Sequence, residues 1–282
     1  MEGRPEIQPE PYYPPTYAPE PAERRPWWKG PLGVLGAIGL AIVKFGAKLK
    51  AVLLLLPKLK LFTTSASMLV SIGAYTLIWG WQFAVGFVLL ILVHEMGHVL
   101  QAKREGLDAS APLFIPFLGA AIALKELPKD AGVEARVGLA GPILGTLGTC
   151  VAVAIWQITG EELFQALAFV GFFLNLFNLA PVLPLDGGRA MAALSPALWL
   201  VGFVLLAAIA LVYPNPIMVL VLIFGAFETW RRWRSRKDPA SQDYHRVSRR
   251  TRALVAAVYL GVAALLALGM DATFLERDFD DV

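Results

Sequence analysis

The chain has 282 residues, of which 57% are hydrophobic and only 17% charged, and its mean hydropathy is +0.59. Soluble globular chains carry about 25% charged residues, so this balance excludes an ordinary soluble domain and predicts a chain built for lipid. A formal charge of only +3 argues against a nucleic-acid partner, and a single cysteine, Cys150, excludes an internal disulfide and any multi-cysteine metal site.

Residues 1–30 are polar and proline-rich, with Pro11-Tyr12-Tyr13-Pro14-Pro15, and predict a disordered cytoplasmic tail without an amino-terminal secretory signal. Residues 31–62 mix apolar residues with Lys44, Lys48, Lys50, Lys58 and Lys60, the pattern of an interfacial helix whose lysines sit at lipid headgroups. Seven apolar segments then approach the length of about 20 residues that crosses a bilayer: 64–80, 82–102, 134–156, 163–183, 195–212, 215–230 and 253–270. The stretch 109–128, with Pro112 and Pro116, is apolar but poor helix, and suits a re-entrant or β-hairpin element packed on protein. The expected fold is thus an all-α polytopic membrane protein of about seven transmembrane helices with one such element. It divides into a core at 63–190, an accessory helix pair at 191–230, a basic cytoplasmic loop at 231–252, and a final helix with an acidic tail at 253–282.

Charge placement predicts the orientation. If the spans alternate from a cytoplasmic amino terminus, the cytoplasmic side holds nine Lys and Arg in residues 1–63, five in 103–136, Arg189, and nine in 231–252. Arg277 alone falls on the opposite side, so the positive-inside rule puts the amino terminus in the cytoplasm and the carboxyl terminus outside a cell membrane.

The second apolar segment runs directly into His94-Glu95-Met96-Gly97-His98. Histidines four apart share one helix face, and an H-E-x-x-H arrangement can bind zinc through both imidazoles while the glutamate activates water. The bland alternative, two solvated histidines where a helix leaves the membrane, has to bear the cost of ionisable groups at membrane depth. A catalytic zinc needs a third protein ligand and an open position. His245, the only other histidine, lies in the basic loop, and Glu228 has arginine neighbours at hand. Asp186 is the better candidate: Pro181 and Pro184 break the helix before it, Gly187-Gly188 allow sharp turning after it, and its span runs parallel to that of His98. Gly141 and Gly145 in the intervening span fit close helix packing.

The pairing of His94-Glu95-Met96-Gly97-His98 with Asn178-x-x-Pro181-x-x-Pro184-Leu185-Asp186-Gly187-Gly188 resembles the site-2 protease family of intramembrane zinc metalloproteases, over roughly residues 64–190. The resemblance implies one catalytic zinc held by His94, His98 and Asp186, Glu95 as catalytic base, and Asn178 in contact with the substrate backbone. It implies that 109–128 guides substrate, and that the substrates are single-span membrane proteins cleaved within or near their transmembrane segments. Leu183 stands where family members often have proline. Two other readings stay open at this point: a zinc protease acting outside the membrane with a glutamate as third ligand, and a membrane metal transporter.

Overall fold

The computed structural model describes residues 60–195, 197–235 and 237–275. The expected tail at 1–30, nearly all of the expected interfacial helix at 31–62, and the acidic end of the chain lie outside them. The described residues form nine helices and one hairpin: α1 (Lys60–Trp79), α2 (Trp81–Arg104), β1 (Leu113–Ile115), β2 (Gly119–Ala121), α3 (Ala131–Thr159), α4 (Glu162–Asn178), α5 (Asp186–Leu194), α6 (Ala197–Val212), α7 (Pro216–Arg234), α8 (Pro239–Tyr244) and α9 (Arg249–Ala272). Four of these, α1, α2, α3 and α9, are long and apolar enough to cross a membrane, while α4 and α6 are apolar but shorter. The chain is a multi-pass membrane protein.

Local chemistry sets the helix ends. Asp130 caps α3 by accepting from the Val133 N–H at 2.8 Å, and Gly160 ends it in the left-handed region at φ 72°. Asn215, followed by Pro216 at the first helical position, starts α7, and Ser248 caps α9 through the Thr251 N–H. The fourth predicted segment, 163–183, is helical only to Asn178. The chain then turns through Leu179–Leu185 and starts the short helix α5 at Asp186, where the sequence suggested only a glycine turn.

Packing ranks the helices. About 44% of the apolar window of α2 and of α3 is buried, against 17% for α1 and 11% for α9, so α2 and α3 form the centre and the others face outward. The α2–α3 pair is the most extensive in the fold, and α3 also carries α4 and α5. Small residues make that approach possible: a Cβ on Gly97 would run into the Ala140 carbonyl of α3. At one end Arg136 bonds the Glu105 carboxylate at 2.6 and 2.9 Å, clamping the end of α2 to the start of α3.

The 109–128 element is a β-hairpin, with Leu113 opposite Ala121 and Ile115 opposite Gly119. It is tied to α1. The Thr64 hydroxyl donates to the Pro112 carbonyl at 2.7 Å, Ser67 Oγ accepts from the Phe114 N–H, and the Tyr75 hydroxyl accepts from the Phe117 N–H at 3.0 Å.

Candidate metal centre and active site

His94 and His98 lie one turn apart on the buried face of α2, with Asp186 facing them from the first turn of α5. His94 Nε2 is 3.0 Å from Asp186 Oδ2, His98 Nε2 is 3.1 Å from the same oxygen, and the two Nε2 atoms are 3.2 Å apart. Three ligand atoms, each on a buried residue, thus converge on one point.

The opposite ring nitrogens decide the protonation. His98 Nδ1 lies 2.8 Å from the Val137 carbonyl, which can only accept, so this nitrogen carries the proton. His94 Nδ1 lies 2.8 Å from Asn175 Oδ1, and the Asn175 amide nitrogen donates to the Gly171 carbonyl, which fixes the oxygen toward the histidine. A neutral imidazole at either position therefore turns an unprotonated Nε2 toward the Asp186 carboxylate, whereas an imidazolium would pair with it directly. In the neutral case the lone pairs on three close atoms repel, and a cation among them removes the conflict. The residues present fit a metal ion: His94, His98 and Asp186 are positioned to form a metal-binding site, with N and O donors of the kind zinc accepts.

Two glycines of α3 leave room for it. A Cβ on Gly141 would collide with His98 Nε2 and come against His94 Nε2, and a Cβ on Gly145 would collide with Asn175 Oδ1. The close packing predicted for this pair therefore serves the ligand rings directly. Gly187 and Gly188 act similarly: a side chain there would meet the backbone of Leu179 and Val182, so these glycines seat α5 against the turn before it.

Glu95 is buried, at 7% exposure, and near enough to His94 and Asp186 for their charges to interact. Among the described residues its carboxylate takes no protein hydrogen bond or ion pair. Asn178 lies outside the cluster, at the end of α4, and donates to the Leu174 carbonyl at 3.0 Å. Asn175, one turn earlier and 1% exposed, is the asparagine that touches a ligand, and it was missed in the motif. The signal was available: an asparagine inside an apolar span needs a partner within the bundle. Glu228 is paired with Arg231 and Arg232, and His245 packs against Trp199 and Tyr244, so neither joins the metal group.

A second polar cluster flanks the site. Arg232 bonds Glu134 through two nitrogens at 2.7 and 3.0 Å, the Tyr244 hydroxyl donates to Glu134 at 2.7 Å, and the Arg232 guanidinium lies over the Trp199 ring. Trp199 in turn donates to the Gly188 carbonyl at 2.6 Å, linking this cluster to α5.

Residues 82–160, which carry both histidines and the glycines behind them, match peptidase family M50. Over this segment the chain is similar to the site-2 proteases. A zinc metalloprotease of Methanocaldococcus jannaschii is 31% identical over 160 residues, covering 55% of this chain and 45% of the relative. Proteins named as candidate zinc metalloproteases in Synechocystis sp. and Mycobacterium tuberculosis are 33% and 29% identical over 108 and 148 residues, covering 37% and 47% of this chain and 28% and 37% of the relatives. The chain therefore matches less than half the length of each of these relatives.

Proposed function

We propose that the chain is a zinc metallopeptidase that hydrolyses peptide bonds of single-span membrane proteins within or near their transmembrane segments. The observation that carries this reading is the buried convergence of His94, His98 and Asp186 beside Glu95, a carboxylate without a protein partner. The match of residues 82–160 to peptidase family M50 supports it. Zinc, when bound, supplies a Lewis acid that polarises a scissile carbonyl and acidifies water. Glu95 takes the proton of the attacking water and passes it to the departing amine nitrogen. Val137 and Asn175 hold the imidazoles in the tautomer that leaves Nε2 free. Asn178 and the β1–β2 hairpin, which reaches the face of α2, engage the substrate backbone after it has unwound.

In this reading all seven apolar helices are embedded in a cell membrane, with the amino terminus cytoplasmic and the site near the cytoplasmic face, where water enters. The core at 63–190 does the chemistry, and α6–α7 form an accessory pair. The test is to place the purified, zinc-loaded chain in vesicles with a panel of single-span proteins and map any cut by mass spectrometry. A cut inside or at the edge of the span, absent with Glu95→Gln, is the expected result. Cuts confined to soluble segments would overturn the intramembrane part, and metal flux that survives Glu95→Gln without any cut would favour a transporter.

A further inference from the structure

A cavity of about 490 Å³ adjoins the metal centre and shares Val137 with it. Its walls are largely apolar, including Leu124, Leu127, Leu183, Phe224 and Phe227. Five ionisable residues also line it, and they are not equivalent. Glu134 and Glu228 both bond Arg232, and Arg231 bonds Glu228 as well, so two arginines balance the two carboxylates. Glu126 is exposed in the segment after the hairpin. Arg189 is half-buried, yet among the described residues its side chain has no hydrogen bond or ion pair.

The position of Arg189 is fixed by its stem. It lies one turn after Asp186 on α5, and a Cβ on Gly138 of α3 would press on the Arg189 Cβ and Cδ. Arg189 is also near enough to Glu95 for their charges to interact. A guanidinium held in an apolar-walled cavity loses part of its hydration and recovers it only when an anion arrives. Its planar fork suits a carboxylate, which it can bond through two nitrogens.

We infer that Arg189 is a substrate-positioning residue that receives a carboxylate of the peptide lying in this cavity, either an acidic side chain or the chain's terminal carboxylate. This rests on the peptidase reading above and adds a charge preference to it: an acidic group a few residues from the scissile bond. The partners already made by Glu134, Glu228 and Arg232 leave Arg189 as the cavity's one half-buried cation without a bonded acid among the described residues.

The test uses the full chain, zinc-loaded, as the Glu95→Gln variant so that binding is read without turnover. The probes are fluorescent apolar peptides with one Glu scanned along the sequence, their Gln counterparts, and each with a free or an amidated carboxyl terminus. The expected result is that one position, or the free terminus, binds about tenfold more tightly than its neutral counterpart. That ratio should collapse toward one in Arg189→Gln and largely return in Arg189→Lys, while zinc content stays the same. In the active enzyme the same discrimination should appear mainly in KM. Side-chain and terminal arms tell the two carboxylate sources apart. A protein that does not distinguish acidic from neutral peptides at any position, whether both bind or neither, overturns the inference, as does a ratio unchanged by Arg189→Gln. Failure of the peptidase reading shows differently, as turnover that survives Glu95→Gln.

Discussion

Two buried polar clusters sit close together along α3, and they are balanced in opposite ways. Glu134 bonds Arg232 and Tyr244, and three residues later Val137 holds His98. In the first cluster each carboxylate pairs with a guanidinium and the Tyr244 hydroxyl finds an acceptor, so protein groups satisfy one another. In the second, two imidazole nitrogens and one carboxylate oxygen converge on a single point, and a cation is needed to join them. Burial by itself does not distinguish a functional site from a structural one. The distinction lies in whether the groups satisfy each other.

The contrast predicts different responses to removal of one member. Replacing Glu95 by Gln should abolish peptidase activity, a loss of at least about 1,000-fold, with zinc content unchanged. Asp186→Ala should lose zinc itself, read by metal analysis of the purified protein. In the balanced cluster, Glu134→Ala should instead take one of its two carboxylate partners from the part-buried Arg232, which keeps Glu228, and cost about 2 kcal/mol of stability. The double variant Glu134→Leu with Arg232→Met should recover much of that loss in a thermal melt. If Glu134→Ala emptied the metal site while the fold stayed intact, the two clusters would not be separate.

Smaller effects sharpen the picture. Gly141→Ala puts a methyl group against both Nε2 atoms, and Asn175→Ala removes the acceptor that sets the His94 tautomer. The alanine at 141 should lower zinc affinity the more, and the change at 175 should weaken it by about 10- to 100-fold in a competition titration with a chelator. Tyr244 gives the smallest effect. Burial first, and then the Glu134 charge beside it, push its phenol above the ordinary range. A group whose folded pKa is raised stabilises fully below its unfolded value, and the contribution is lost as pH rises past it. Melting temperature should therefore fall more steeply above about pH 10 in the wild type than in Tyr244→Phe.

Much of this was legible in the chain. His94, Glu95 and His98 are local, so one helical period suffices to place them together. Asp186 lies 92 residues from His94, and only the parallel direction of the two spans brought it to the same depth. The apolar segments were found because hydropathy is a property of composition. The helical course of α5 was not, since Gly187-Gly188 looks like a turn until the Leu179–Leu185 backbone packs against it. Asn175 was eclipsed by Asn178, which belongs to the recognisable motif. The Glu134–Arg232–Tyr244 cluster joins residues about a hundred positions apart and leaves no local pattern, although the pairing of Glu228 with nearby arginines could be read from their spacing.

The central claim is that a metal completes the His94–His98–Asp186 cluster and that Glu95 handles the proton. Zinc content and peptide-bond cleavage measured on the same preparations of wild type and Glu95→Gln test it most directly. The account predicts about one zinc per chain in both proteins and cleavage by the wild type alone. Cleavage at the wild-type rate by Glu95→Gln, or a wild-type chain that cleaves without zinc, would contradict it.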